Sequence, residues 1–173
     1  MKLAHVTAEG RGRTDDIIAA FVAALEAEGL SLAGTVRLRP ADAGAHPCDM
    51  DLRVLPDGPD FRISQRLGAQ ARGCRLDGGV IEAIAVEVEA RLPGADLLIV
   101  NKFGKLEAQG RGLAPAIAMA LERGIPTIVG VNALNLPDFL AFSDGMAEAL
   151  APDRESLFAW LAGARAGQIA ARP

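Results

Sequence analysis

Two short stretches combine residue types and spacings suited to phosphate chemistry. The first is Thr7-Ala8-Glu9-Gly10-Arg11-Gly12-Arg13-Thr14, between an apolar run and a helical pattern. A phosphate cradle of the form G-x-x-x-x-G-K-[S/T] needs a strand before it and a helix after it. Gly12, Arg13 and Thr14 occupy its last three positions, while Thr7 stands for the first glycine and Arg13 for the lysine. Backbone N–H groups at a helix start attract anions, and an arginine can grip phosphate oxygens in a bidentate fashion. Gly10 allows a tight turn; Glu9 opposes an anion. The competing reading is a glycine-rich turn with Thr14 as the helix N-cap.

The second stretch is Leu97-Leu98-Ile99-Val100-Asn101-Lys102-Phe103-Gly104-Lys105-Leu106-Glu107. Four apolar residues followed by an acid would form the strand whose Asp holds Mg²⁺ in nucleotide hydrolases. Asn101 stands there without charge, and Lys102 follows. Glu107 is the remaining acid able to orient water. Lys105 and Asn101 would face phosphates held by Gly10, Gly12, Arg13 and Thr14. The alternative is a solvated charged loop. Gly10-Arg11-Gly12 and Gly110-Arg111-Gly112 put an arginine in each loop, which favours an anionic ligand.

Other constellations are sparser. Cys48 and Cys74 are the two cysteines, and His46 lies two residues before Cys48. If their loops converge, this set can bind zinc or another soft metal; otherwise the thiols pair, pack, or are unrelated. Ser64-Gln65-Arg66 and Gly73-Cys74-Arg75 carry donors suited to molybdate or phosphate, or their arginines pair with surface carboxylates. No Ser-His-Asp set is credible, with His5 inside a strand and His46 in a loop.

The elements that must position these residues follow from periodicity. Residues 2–6 read as a strand, Thr14 to Glu28 as a helix with Asp15 and Asp16 in its first turn, and Leu32 to Leu38 as a strand. A hairpin is expected near residues 50–64, turning at Pro56-Asp57-Gly58-Pro59. A helix follows over Asp77 to Leu92. Asp96 to Val100 and Ile125 to Val131 read as strands covered on both faces, flanking a helix from Leu113 to Arg123. Met146 to Leu150 reads as an edge strand, and Asp153 caps a last helix through Leu161. The alternation predicts a three-layer α/β sandwich with a mostly parallel sheet. In such a sheet ligands bind beyond the carboxyl ends of the strands, where both loops lie.

The chain has 173 residues, 50% hydrophobic and 23% charged, with a formal net charge of −4. The length suits one domain over 1–173, with a core over 2–162 and a C-terminal tail over 163–173. The charge argues against nucleic acid, and no apolar run is long enough to span a membrane. Two cysteines exclude a disulfide scaffold. With no export signal, the expected compartment is the cytoplasm. The apolar content allows a homo-dimer.

The stretch from Asn101 to Glu107 resembles the D-E-I-G-x-M-E segment of small P-loop nucleoside-triphosphatases: the Gly, the Lys and the final Glu match, and the two leading acids are replaced. The chain more widely resembles the bacterial family of domain of unknown function 2478, through Gly73 to Asp77, Asp96 to Gly112, and Gly124-Ile125-Pro126. This resemblance implies a P-loop NTPase-like fold, in a family often found beside molybdate-uptake genes. Two functions follow as expectations. One is a nucleotide- or phosphate-binding protein with a degenerate P-loop, taking a Mg-nucleotide with little or no hydrolysis. The other is a non-catalytic accessory or sensor protein that binds molybdate or a metal through the Cys48 and Cys74 loops. A subunit-interaction protein with no small ligand is a third.

Overall fold

The structure is a computed structural model that describes residues 2–38, 50–64 and 77–169. The elements run β1 Leu3–Val6, α1 Arg13–Ala27, β2 Leu32–Leu38, β3 Asp51–Leu55, β4 Asp60–Arg62, α2 Gly78–Arg91, β5 Leu97–Val100, α3 Lys105–Ala108, α4 Ala114–Glu122, β6 Thr127–Gly130, α5 Leu136–Ser143, β7 Glu148–Leu150 and α6 Arg154–Ile169.

The strands form one sheet in the order β4-β3-β2-β5-β6-β1-β7. The five strands from β2 to β7 in that order are mutually parallel, and the β3–β4 hairpin extends the β2 edge antiparallel. Alternation along each strand splits the core in two. Ala4, Val6, Leu97, Ile99 and Ile128 face α1 and α6, burying Ile18, Phe21, Leu25, Leu157 and Trp160. Leu3, Leu98, Val100 and Val129 face the other way, against Ile84 and Val88 of α2, Ile117 and Ala120 of α4, and Phe139 of α5. All four residues of β5 are buried, as a strand covered on both faces requires. This is the expected three-layer sandwich with its hairpin insertion.

Four local features differ from the expectations. The helix after the first loop starts at Arg13 with Gly12, in the left-handed conformation, as its N-cap; Thr14 lies inside it. The loop after β5 contains one helical turn, α3. Helix α5 was not anticipated; it starts after Asn135 with a proline in its first turn, where a missing N–H costs nothing. The last helix continues beyond Leu161 to Ile169, so the expected tail over 163–173 is helical for most of its length. Asp153 does brace its start, accepting the Ser156 N–H at 2.8 Å.

Candidate phosphate site at the strand ends

The loop after β1 owes its shape to two left-handed glycines, Gly10 at φ 96° and Gly12 at φ 78°, a conformation that costs glycine least. The Ala8 N–H donates to Thr14 Oγ1 at 3.0 Å, which ties the loop back onto α1. No side chain caps α1; the Arg13 N–H turns back to the Gly10 carbonyl at 3.4 Å, and the N–H groups of Thr14 and Asp15 remain as donors. A cavity of about 510 Å³ opens here, lined by Gly10, Arg11, Gly12, Thr14 and Asp15 on one side and by Asn101, Lys102, Asn132 and Leu134 on the other.

Asn101 is buried at the end of β5. The β2–β5 ladder ends at the Gly34–Ile99 pair, and Asn101 continues it. Its Oδ1 accepts the Arg37 N–H at 3.1 Å, and its own N–H donates to Thr35 Oγ1 at 3.3 Å. With Oδ1 committed, Nδ2 points to α1 and donates to Asp15 Oδ1 at 3.0 Å. Arg37 Nη1 donates to Asp15 Oδ2 at 2.7 Å. A carboxylate therefore stands one hydrogen bond beyond the strand end, supplied by α1 instead of β5.

A second, mostly apolar cavity of about 370 Å³ shares Asp15, Asn101, Lys102 and Asn132 with the first. Met50, Leu52, Ile63, Ile81 and Leu113 line it, with Lys105 and Glu107 among its polar groups. Glu107 is buried; its carboxylate accepts the Gly104 N–H at 3.0 Å and the Leu113 N–H at 3.2 Å. Burial pushes its carboxyl above the usual range, more than these N–H groups pull it down, and nearby Glu82 adds to the rise. In this geometry Glu107 braces the α3 turn to the start of α4.

The predicted residues thus divide. Gly10, Gly12, Thr14 and Asn101 line the larger cavity, at the start of α1. Arg13 is exposed and does not line it, whereas Arg11 does. Lys105 and Glu107 face the neighbouring cavity. Cys48, Cys74 and His46 lie outside the described residues, as do Gln65, Arg66 and Arg75. Among the described residues no group of His, Cys, Asp and Glu is arranged to hold a metal ion. Sequence reasoning missed Arg37, Asn132 and the site role of Asp15; the signal available for Asp15 was its place directly after Thr14.

Among the described residues lining the cavity, the donors open to a Mg²⁺ are the Thr14 hydroxyl and the carboxylates of Asp15 and exposed Glu9. The Asp15 oxygens also accept from Asn101 and Arg37, so a Mg²⁺ held here would draw chiefly on Thr14 and on the phosphate oxygens of its ligand.

Two solved structures share the fold. The human cancer-related nucleoside triphosphatase superposes with TM-score 0.57 at 16% identity, over 100% of each chain. THEP1 from the hyperthermophile Aquifex aeolicus does so with TM-score 0.63 at 12% identity, over 94% of this chain and 96% of that one. The mixed α/β fold is thus that of the P-loop NTPases. In sequence, the molybdenum import ATP-binding protein ModC 2 of Bradyrhizobium diazoefficiens is 31% identical over 147 residues, 84% of this chain but 16% of that protein. No described helix is long and apolar enough to cross a membrane. The family model described as protein of unknown function (DUF2478) matches residues 3–160, and the chain belongs to that family.

Proposed function

We propose that this protein binds the phosphates of a nucleotide in the Gly10–Thr14 loop and hydrolyses them slowly or not at all. The observation that carries this is the uncapped start of α1, opening between two left-handed glycines into a cavity of about 510 Å³. Uncapped N–H groups and the helix dipole favour an anion there. Lys102 is exposed, lines this cavity, and supplies a cation from the opposite wall. Leu134, 89% exposed at the same cavity, offers an apolar surface to a base, which favours a nucleotide over bare phosphate. Slow turnover follows from Asn101 at the strand end, an amide that cannot serve as a base, and from Glu107, whose oxygens take backbone N–H groups. The fold neighbour named as a nucleoside triphosphatase and the relative named as ATP-binding agree with this reading.

An equilibrium titration with ATP and GTP, with and without Mg²⁺, tests it. Micromolar binding is expected, and Lys102→Ala should weaken it about tenfold, the loss of one charged contact. No binding up to millimolar nucleotide overturns the proposal. A link to molybdenum rests on the likeness to the molybdenum import ATP-binding protein. Molybdate binding that survives loss of nucleotide binding, and is lost in Cys74→Ser, would favour the oxyanion-binding accessory role instead.

A further inference from the structure

We propose that the apolar cavity beside the phosphate loop is a second binding site, for a small organic acid with a compact hydrocarbon body and a single carboxylate. The cavity measures about 370 Å³, within the range of about 300–1,000 Å³ typical of small-ligand sites. Leu52 of the hairpin, Ile81 and Ile84 of α2, Leu106 of α3 and Leu113 before α4 wall it. A hydrocarbon body placed there leaves water on several sides at once, which is the main source of affinity for such a group.

The polar groups select the head. Arg37 and Asp15 satisfy one another at 2.7 Å, and Asn101 commits its amide to the Arg37 N–H and to Asp15. Asp77 closes the start of α2 by accepting the Gly79 and Val80 N–H groups at 3.0 and 3.3 Å. What remains is chiefly donors. Thr35 is fully buried; its Oγ1 accepts the Asn101 N–H at 3.3 Å, and among the described residues its own O–H has no acceptor. Asn132 Oδ1 accepts the Asn135 N–H at 2.9 Å, which leaves Nδ2 to donate. Lys105 is exposed, lines this cavity and not the larger one, and makes no ion pair among the described residues. Opposite stands Glu107, whose two oxygens already accept backbone N–H groups and whose burial favours its neutral form. Spare donors together with a cation call for a ligand with acceptor oxygens and negative charge. Lys102, which lines both cavities, is left to the phosphates, so the acid and a nucleotide can be held side by side.

Equilibrium dialysis of the whole chain against 2-naphthoate, two fused rings with one carboxylate, tests this. One molecule per chain is expected to bind with a dissociation constant below about 1 mM, and the uncharged 2-naphthalenemethanol at least about tenfold more weakly. Gly78 also lines the cavity, and a Cβ there would meet only Leu106 Cδ1, at 3.9 Å. Gly78→Leu therefore fills the space without a backbone clash and should abolish naphthoate binding with an unchanged far-ultraviolet circular dichroism spectrum. Lys105→Met, which keeps the hydrocarbon stem, covers the case where that variant does not fold. It should weaken naphthoate binding about fivefold and leave the alcohol unaffected. Saturating ATP should change the naphthoate affinity by less than about tenfold. No binding up to about 10 mM, binding that folded Gly78→Leu retains, or alcohol bound as tightly as the acid each overturns the inference. So does an unchanged naphthoate affinity in Lys105→Met, or full competition by ATP, which would make the cavity part of the nucleotide's own site. The inference stands apart from the phosphate-binding reading: naphthoate binding by a protein that binds no ATP removes that reading alone.

Discussion

Glu107 illustrates how burial decides what a carboxylate contributes. Its carboxyl is raised above its ordinary value of 4.5 by desolvation, so the folded state holds a proton that the unfolded state releases first. Its contribution to stability is present below pH 4.5 and is lost as pH rises through the folded-state value. Glu107→Gln keeps the shape of the protonated acid and removes the titration. The variant is expected to show a flatter dependence of unfolding free energy on pH above 4.5, measured by urea denaturation across a pH series; an unchanged profile would exclude Glu107 as its source. At this scale the sequence was legible where chemistry is local. Gly12 and Asn101 were found because their neighbours in the chain define a motif. Arg37 was not, because its partners lie 22 and 64 residues away, and no local pattern marks a side chain that crosses from β2 to α1.

Among the elements, the pairing of β2 with β5 is the most demanding. Gly34 stands at φ 118°, and a Cβ there would lie 1.8 Å from the Ile99 carbonyl oxygen. The two strands approach so closely that any side chain at 34 must push β5 away, and Asn101 lies two residues beyond Ile99. Gly34→Ala is expected to cost about 3 kcal/mol or more, from backbone strain and overpacking together. Equilibrium denaturation would measure it, and a cost below about 1 kcal/mol would show that the strands can separate without penalty. Strands and long helices were readable because their apolar period persists for several residues. Helix α5 escaped because eight residues give little period, and only Phe139 and Ser143 of it are buried. Its place is decided by packing: Phe139 meets Phe103 at 5.2 Å between ring centroids and His5 at 5.1 Å.

The whole molecule gathers its site from four elements, with α1, β2, β5 and the turn after β6 meeting at one edge of the sheet. A ligand bound there contacts both halves of the sheet and stabilises the fold as a unit. At nucleotide concentrations about one hundred times the dissociation constant, global stability should rise by about 2.7 kcal/mol. Thermal melts with and without ATP would read this, and a rise absent despite measured binding would mean that the ligand also holds the unfolded chain. The layer architecture was legible because strands and helices alternate. The strand order was not, because it depends on contacts between distant segments.

That strand order has a consequence for biosynthesis. β1 lies between β6 and β7, pairing Leu3 with Thr127 and Val6 with Leu150. β1 therefore leaves the ribosome before either of its partners and waits for both, and the loop it carries has no wall opposite until Asn101, Asn132 and Leu134 have been made. Released early, at any point before Thr127, the chain would present β1 with both edges bare, a template for pairing with other chains. Nascent fragments that end before β6 are thus the form that most needs a chaperone, and the Gly10–Thr14 loop is walled in only after β5 and β6 are made, although it is translated before them.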